Sequence, residues 1–183
     1  SLPLIVKPLD RSGSMAVNKV ECWESLTAAV EQAQSVSFRH EAMVEEYIDG
    51  REISVEFISY QGKHYPLQIT DKMTTGAPHF VELEHHQPSS LSADMYQKIY
   101  AITNRALGAL GVTNGASHSE YKITDDGRIA IMEVGARMGG DFIGSDLVQL
   151  STGYDFVKGV IVMATMSIRI SDTGYGIKKE DYD

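Results

Sequence analysis

Glu120 and Glu133 lie within GASHSEYKITDDGRIAIMEVGARMGG, residues 115–140, in two strand-like runs separated by Asp125-Asp126-Gly127. That spacer predicts a hairpin turn, which puts the two acids on adjacent antiparallel strands. A half-buried hairpin normally turns apolar residues inward and leaves charge outside. Here Ile129, Ile131 and Met132 lead straight into Glu133. Two carboxylates facing the same way on neighbouring strands can hold Mg²⁺ together with substrate phosphates. Arg137, just beyond, can clamp a phosphoryl group or a carboxylate through a bidentate fork. Gly135, Gly139 and Gly140 let a ligand approach the backbone. A structural salt-bridge cluster is the other reading these residues allow.

Two earlier stretches carry related chemistry. In IVKPLDRSGSMAV, Lys7 ends a strand beside the Gly13-Ser14 loop, where an ammonium and loop N–H groups can converge on phosphate oxygens. The stretch lacks P-loop and dinucleotide-fingerprint spacing, and a solvated turn uses the same residues. In VEEYIDGREISVE, a strand end at Glu45, Glu46 and Ile48 offers main-chain groups to a base edge, and Glu52 can accept ribose hydroxyls. Solvent-facing strand charges are the alternative there.

Certain elements must position these residues. Leu4-Ile5-Val6 reads as a short strand, Ala16–Val20 as its return, Glu24–Ala33 as a helix with apolar residues at helical spacing, and Ala42–Ile48 as a further strand. Glu52–Tyr60 and Lys63–Thr70 form a hairpin across Gln61-Gly62. Residues 71–90, with Pro78, Pro88, His79, His85 and His86, are expected to form a long loop. Ser92–Leu110 is an amphipathic helix that Gly111 stops. The 115–136 hairpin follows, then a glycine turn, then helices over Phe142–Leu150 and Tyr154–Met166. The 183 residues suffice for one domain or two small lobes. A net charge of -9 with scattered basic residues argues against a nonspecific nucleic-acid binder. No run approaches the ~18 apolar residues of a membrane span. The single cysteine, Cys22, excludes an internal disulfide framework and fits a reducing, cytoplasmic compartment.

Taken in order, the three motifs resemble the ATP-grasp superfamily over about residues 3–165. The resemblance rests on IVKP with its Gly-Ser loop, VEEYIDGREISVE, the acid at 120 with MEVGARMGG, and STGYD at 151–155. It implies an α+β fold with a lid lobe at 1–50, a larger antiparallel sheet-and-helix lobe at 51–170, and a polar tail or truncated continuation at 171–183. It implies that ATP is held by Lys7, Gly13, Ser14, Glu45, Glu46, Ile48 and Glu52. Lys72, after the Lys63–Thr70 strand, can join them as a point charge on the phosphates; a surface lysine is the other reading of it. Glu120 and Glu133 would be the Mg²⁺ ligands, and Arg137 the catalytic stabiliser of phosphoryl or acyl charge. The implied activity is ADP-forming ligation of a small-molecule carboxylate to an amine through an acylphosphate. Carbamoyl phosphate synthetase-like activation of bicarbonate or carbamate, or noncatalytic nucleotide binding, are the alternatives. Nucleic-acid and membrane partners are not expected; a homo-oligomer formed through regions outside this chain is.

The chain departs from the family pattern in three places. Glu133-Val134-Gly135 replaces Glu-x-Asn, which removes one metal ligand. Ala16 stands where a second loop glycine is usual. The N-terminal lobe of the family is missing, so the chain reads as a fragment whose acceptor pocket is incomplete. The three histidines lack zinc-ligand spacing, and their loop can instead touch substrate. Cys22, beside Trp23 at a helix start, is expected to pack inward.

Overall fold

The computed structural model describes residues 1–77 and 80–171. Pro78, His79 and the expected tail beyond Ser171 lie outside them. The chain divides into two units. One comprises Ser1–Glu52, Lys72–Glu84 and Ile123–Arg128; the other comprises Ile53–Asp71, His85–Lys122 and Ile129–Asp183.

In the first unit, β1 (Leu4–Pro8) lies between β2 (Asn18–Val20) and β3 (Ala42–Glu46). Both neighbours are antiparallel to it, with Leu4 opposite Val20 on one side and Glu46 on the other. α1 (Leu26–Val36) follows a single 3₁₀ turn at Trp23–Ser25. Its Ala29 and Ala33 bury against Val6 and Val20 to form a small core. The small alanines let the helix lie close to the sheet. Cys22 is exposed, contrary to the packing role expected of it; its side chain meets the Ser25 hydroxyl at 3.5 Å instead.

The larger sheet has the order β6-β5-β4-β7-β8, from β4 (Arg51–Tyr60), β5 (Lys63–Thr74), β6 (Glu82–His86), β7 (Gly115–Ile123) and β8 (Ile129–Gly135). Side chains alternate between its faces. On one face Phe57 meets Tyr100 edge-on at 5.7 Å, and the Tyr121 hydroxyl bonds that of Thr103 at 2.7 Å. Both partners belong to α2 (Ala93–Ala109). On the other face Ile58 and Ala116 cluster with Val148 of α3 (Val148–Thr152) and Phe156 of α4 (Phe156–Ser171).

Local chemistry sets the boundaries. Ser92 caps α2 by accepting from the Met95 N–H at 3.3 Å. At the far end Gly111 takes φ +71°, while Val112 N–H bonds Leu107 O and Gly111 N–H bonds Gly108 O, a Schellman closure. Between β7 and β8, Gly127 N–H bonds Thr124 O and Thr124 N–H bonds Arg128 O. This is a type I turn with a glycine bulge.

Two expectations are corrected. Residues 71–90 are not one loop, because β5 runs to Thr74 and Glu82–His86 forms β6. The expected helix 142–150 opens as a π-helical turn over Ile143–Leu147, where Leu147 N–H reaches back five residues to Phe142 O.

Candidate functional site

Glu56 lies in the middle of β4, with its side chain wholly buried on the α3/α4 face of the sheet. An ionised carboxylate there is costly unless fully hydrogen-bonded. The structure supplies the bonds. His118, from the adjacent β7, turns Nδ1 to Glu56 Oε1, and the main-chain N–H of Gly139 donates to Glu56 Oε2 at 3.2 Å. Period-two alternation puts Ala116, His118 and Glu120 on that same face. His118 Nε2 then meets Glu120 Oε1 at 3.1 Å. Burial alone would depress the imidazole pKa, but its hydrogen bonds to Glu120 and Glu56 and their charges prevail, pushing it up to about 9. The imidazolium therefore donates from both ring nitrogens, and a chain of bonds runs from a dry carboxylate to Glu120, whose side chain is 30% exposed.

Glu133 is exposed on β8, the sheet neighbour of β7. Arg137 is exposed in the following turn and donates from Nη1 to the adjacent Met138 carbonyl at 2.8 Å. Glu120, Glu133 and Arg137 all belong to the second unit. Glu120 and Glu133 offer only oxygen donors, which suits a hard cation such as Mg²⁺. His85 and Asp141 belong to the same unit, with His85 Nε2 4.0 Å from Asp141 Oδ2.

The eight residues expected at the nucleotide fall in the first unit. Lys7 pairs with Glu45 across β1 and β3 at 2.7 Å. Glu46 is bound by both Arg128 Nη atoms, at 3.2 and 3.0 Å, which holds its carboxyl below its usual range. β3 is an edge strand of its sheet, where outward main-chain groups are available to a ligand. The Tyr47 N–H continues the pairing on the β1 side by bonding Pro3 O at 3.2 Å, and Ile48 follows outside the strand. Glu52 lies in β4. Gly13, Ser14 and Ala16 all have positive φ, and the Ser14 hydroxyl donates to Phe80 O at 3.3 Å. Lys72 is a strand residue of β5 with its side chain buried; its ammonium lies 2.6 Å from Glu82 on β6.

A family model described as an ATP-grasp domain matches residues 1–146. The chain belongs to the ATP-grasp family. Alanine–anticapsin ligase of Bacillus subtilis is 28% identical over 160 residues, covering 75% of this chain and 34% of that protein. D-alanine–D-alanine ligase of Flavobacterium johnsoniae is 30% identical over 131 residues, covering 68% and 40%. Among solved structures, an L-amino acid ligase from Bacillus licheniformis matches with a TM-score of 0.77 and 32% identity, over 88% of this chain and 38% of that one. A biotin carboxylase from Campylobacter jejuni matches with a TM-score of 0.78 at 19% identity, over 99% and 39%, a likeness of fold. The chain thus spans about a third to two-fifths of these two curated relatives.

Glu56 and His118 were not singled out by the sequence reading. The available signal was parity. Glu56 shares the inward face of β4 with Ile58, and His118 precedes Glu120 by two residues on one face of β7.

Proposed function

We propose that the chain is the ATP-binding part of an ADP-forming ligase that joins a small-molecule carboxylate to an amine. The observation that carries this reading is the presence of Glu120, Glu133 and Arg137 on one hairpin and its following turn, in a chain 32% identical to an L-amino acid ligase of the same fold. Lys7, Gly13, Ser14, Glu45, Glu46, Ile48, Glu52 and Lys72 form the nucleotide set, the lobes divide near residue 50, and the compartment is the reducing cytoplasm.

In this reading the substrate carboxylate attacks the γ-phosphorus of ATP, the β–γ bridging bond breaks, and ADP leaves. The amine then adds to the acylphosphate carbonyl; inorganic phosphate departs and the nitrogen loses its proton. Glu120 and Glu133 would hold Mg²⁺, which when bound neutralises charge on the phosphate oxygens. The chain's own contribution is positioning. Lys7 and Lys72 present ammonium groups to the phosphates, and the 13–16 loop lies over them. Arg137 offers a planar fork to the transferring group, where charge develops.

The test is to incubate the full-length protein with MgATP and amino-acid pairs and to follow ADP, phosphate and dipeptide together. Equimolar formation of all three is the expected result. ADP formed only with bicarbonate would move the reaction to the carbamoyl phosphate synthetase-like branch, which the fold likeness to biotin carboxylase alone supports. Nucleotide binding without turnover of any pair would leave a noncatalytic module.

A further inference from the structure

We infer that Glu56 and His118 are positioning residues for the carboxylate of Glu120, acting through a hydrogen-bond chain anchored on the Gly139 main chain. The inference rests on the reading of Glu120 as a metal-holding residue and adds two members to that site. Glu56 is 0% exposed and the His118 side chain 5% exposed, so neither meets solvent or a ligand directly. A buried ionic pair is a poor means of stabilising a fold, because apolar residues of similar volume generally do as well or better. This one is also directional. It runs from a dry carboxylate fixed by two donors through both ring nitrogens to Glu120, the one of the three with substantial exposure. The imidazole occupies one oxygen of Glu120 and fixes the plane of its carboxylate, as outer-shell partners do for metal-holding groups. The same Glu56 pins Gly139, two residues past Arg137. One buried acid therefore organises both the β7 carboxylate and the turn that carries the arginine.

The full chain should be titrated with Mn²⁺ in the presence of ADP, with free Mn²⁺ followed by electron paramagnetic resonance. ADP affinity without metal and melting temperature should be measured alongside. The variants are Glu56→Gln, His118→Asn and Glu120→Gln. Asparagine can still reach Glu56 from where Nδ1 lies but falls short of Glu120, so it separates positioning from filling the interior. Mn²⁺ affinity about 10- to 100-fold weaker in Glu56→Gln and His118→Asn, with metal-free ADP affinity unchanged, is expected. Unchanged Mn²⁺ affinity in either folded variant, or parallel loss of Mn²⁺ and metal-free ADP binding, overturns the positioning role. A wild type that binds no Mn²⁺ with ADP, or a Glu120→Gln variant that binds it normally, overturns the metal reading of Glu120 and this inference with it. Should the buried variants fail to fold, wild type labelled with ¹⁵N-histidine decides: Mg²⁺ with ADP should shift the His118 Nε2 resonance beyond the shift from ADP alone. An unmoved resonance overturns the inference.

Discussion

Gly139 donates its main-chain N–H to the buried carboxylate of Glu56 at 3.2 Å, and a Cβ on Gly139 would lie 2.7 Å from that same carboxylate. The glycine is therefore fixed by space as well as by hydrogen bonding. The Cβ would also lie 2.8 Å from His118 Nδ1, so the two groups nearest it are themselves bonded and cannot simply swing away. Gly139→Ala should destabilise the chain by about 1–3 kcal/mol, the usual range for overpacking a filled interior. Chemical denaturation measures this directly. A variant as stable as the parent would show that the turn can shift without cost.

The pairing of His118 with two carboxylates also sets a pH dependence. Its folded-state pKa, about 9, lies above the ordinary imidazole value of 6.5, so the folded chain holds this proton more tightly than the unfolded chain. The resulting stabilisation is fully present below about pH 6.5 and is lost as pH rises through about 9. Melting of the metal-free chain and of His118→Gln, followed from pH 6 to 9.5 in roughly half-unit steps, isolates this group from other titrations. The gap between the two melting temperatures should narrow across that window. A constant gap would mean that the imidazole stays neutral in the fold.

The 13–16 loop offers a test of the departure at Ala16. Its φ of +53° is left-handed, a conformation that costs an L-residue roughly 1–2 kcal/mol and glycine little. Part of the gain from glycine is offset by its freer unfolded chain, worth about 0.4–1 kcal/mol. Ala16→Gly should therefore be neutral to stabilising by up to about 1.6 kcal/mol, whereas Ala16→Val, β-branched at the same φ, should destabilise. Equal melting for the glycine and valine variants would refute the strain.

These cases show which parts of the fold the residues announce. α2 was readable at both ends because Ser92 and Gly111 act locally, through a cap and a left-handed closure. The β7–β8 turn was readable because Asp-Asp-Gly meets its backbone requirement within five residues. β6 was not. Its sequence, ELEHH, is charged and exposed, and it is a strand only because β5 lies beside it in the sheet. The same limit hid Glu56. Along β4 it reads as an ordinary polar member of an alternating run, and its role appears only when a histidine 62 positions away meets it. The chain of bonds from Glu56 through His118 to Glu120 likewise depended on tertiary contact.

Arg137 is exposed and its one described bond is to the neighbouring Met138 carbonyl, so the folded chain gives it little to stabilise. If it serves the transferring phosphoryl group, its value lies in the planar fork, which an ammonium cannot reproduce. Arg137→Lys should therefore leave melting unchanged and nucleotide affinity nearly so. Turnover in the ligase assay should fall by roughly a hundred- to thousandfold, the cost of about 2.7–4 kcal/mol typical for removing a donor aimed at transition-state charge. An arginine retained only for its surface charge would tolerate lysine in all three measurements. Near-normal turnover in Arg137→Lys would transfer the stabilising role to the lysines of the nucleotide set, with Lys72, buried beside Glu82, the next residue to substitute.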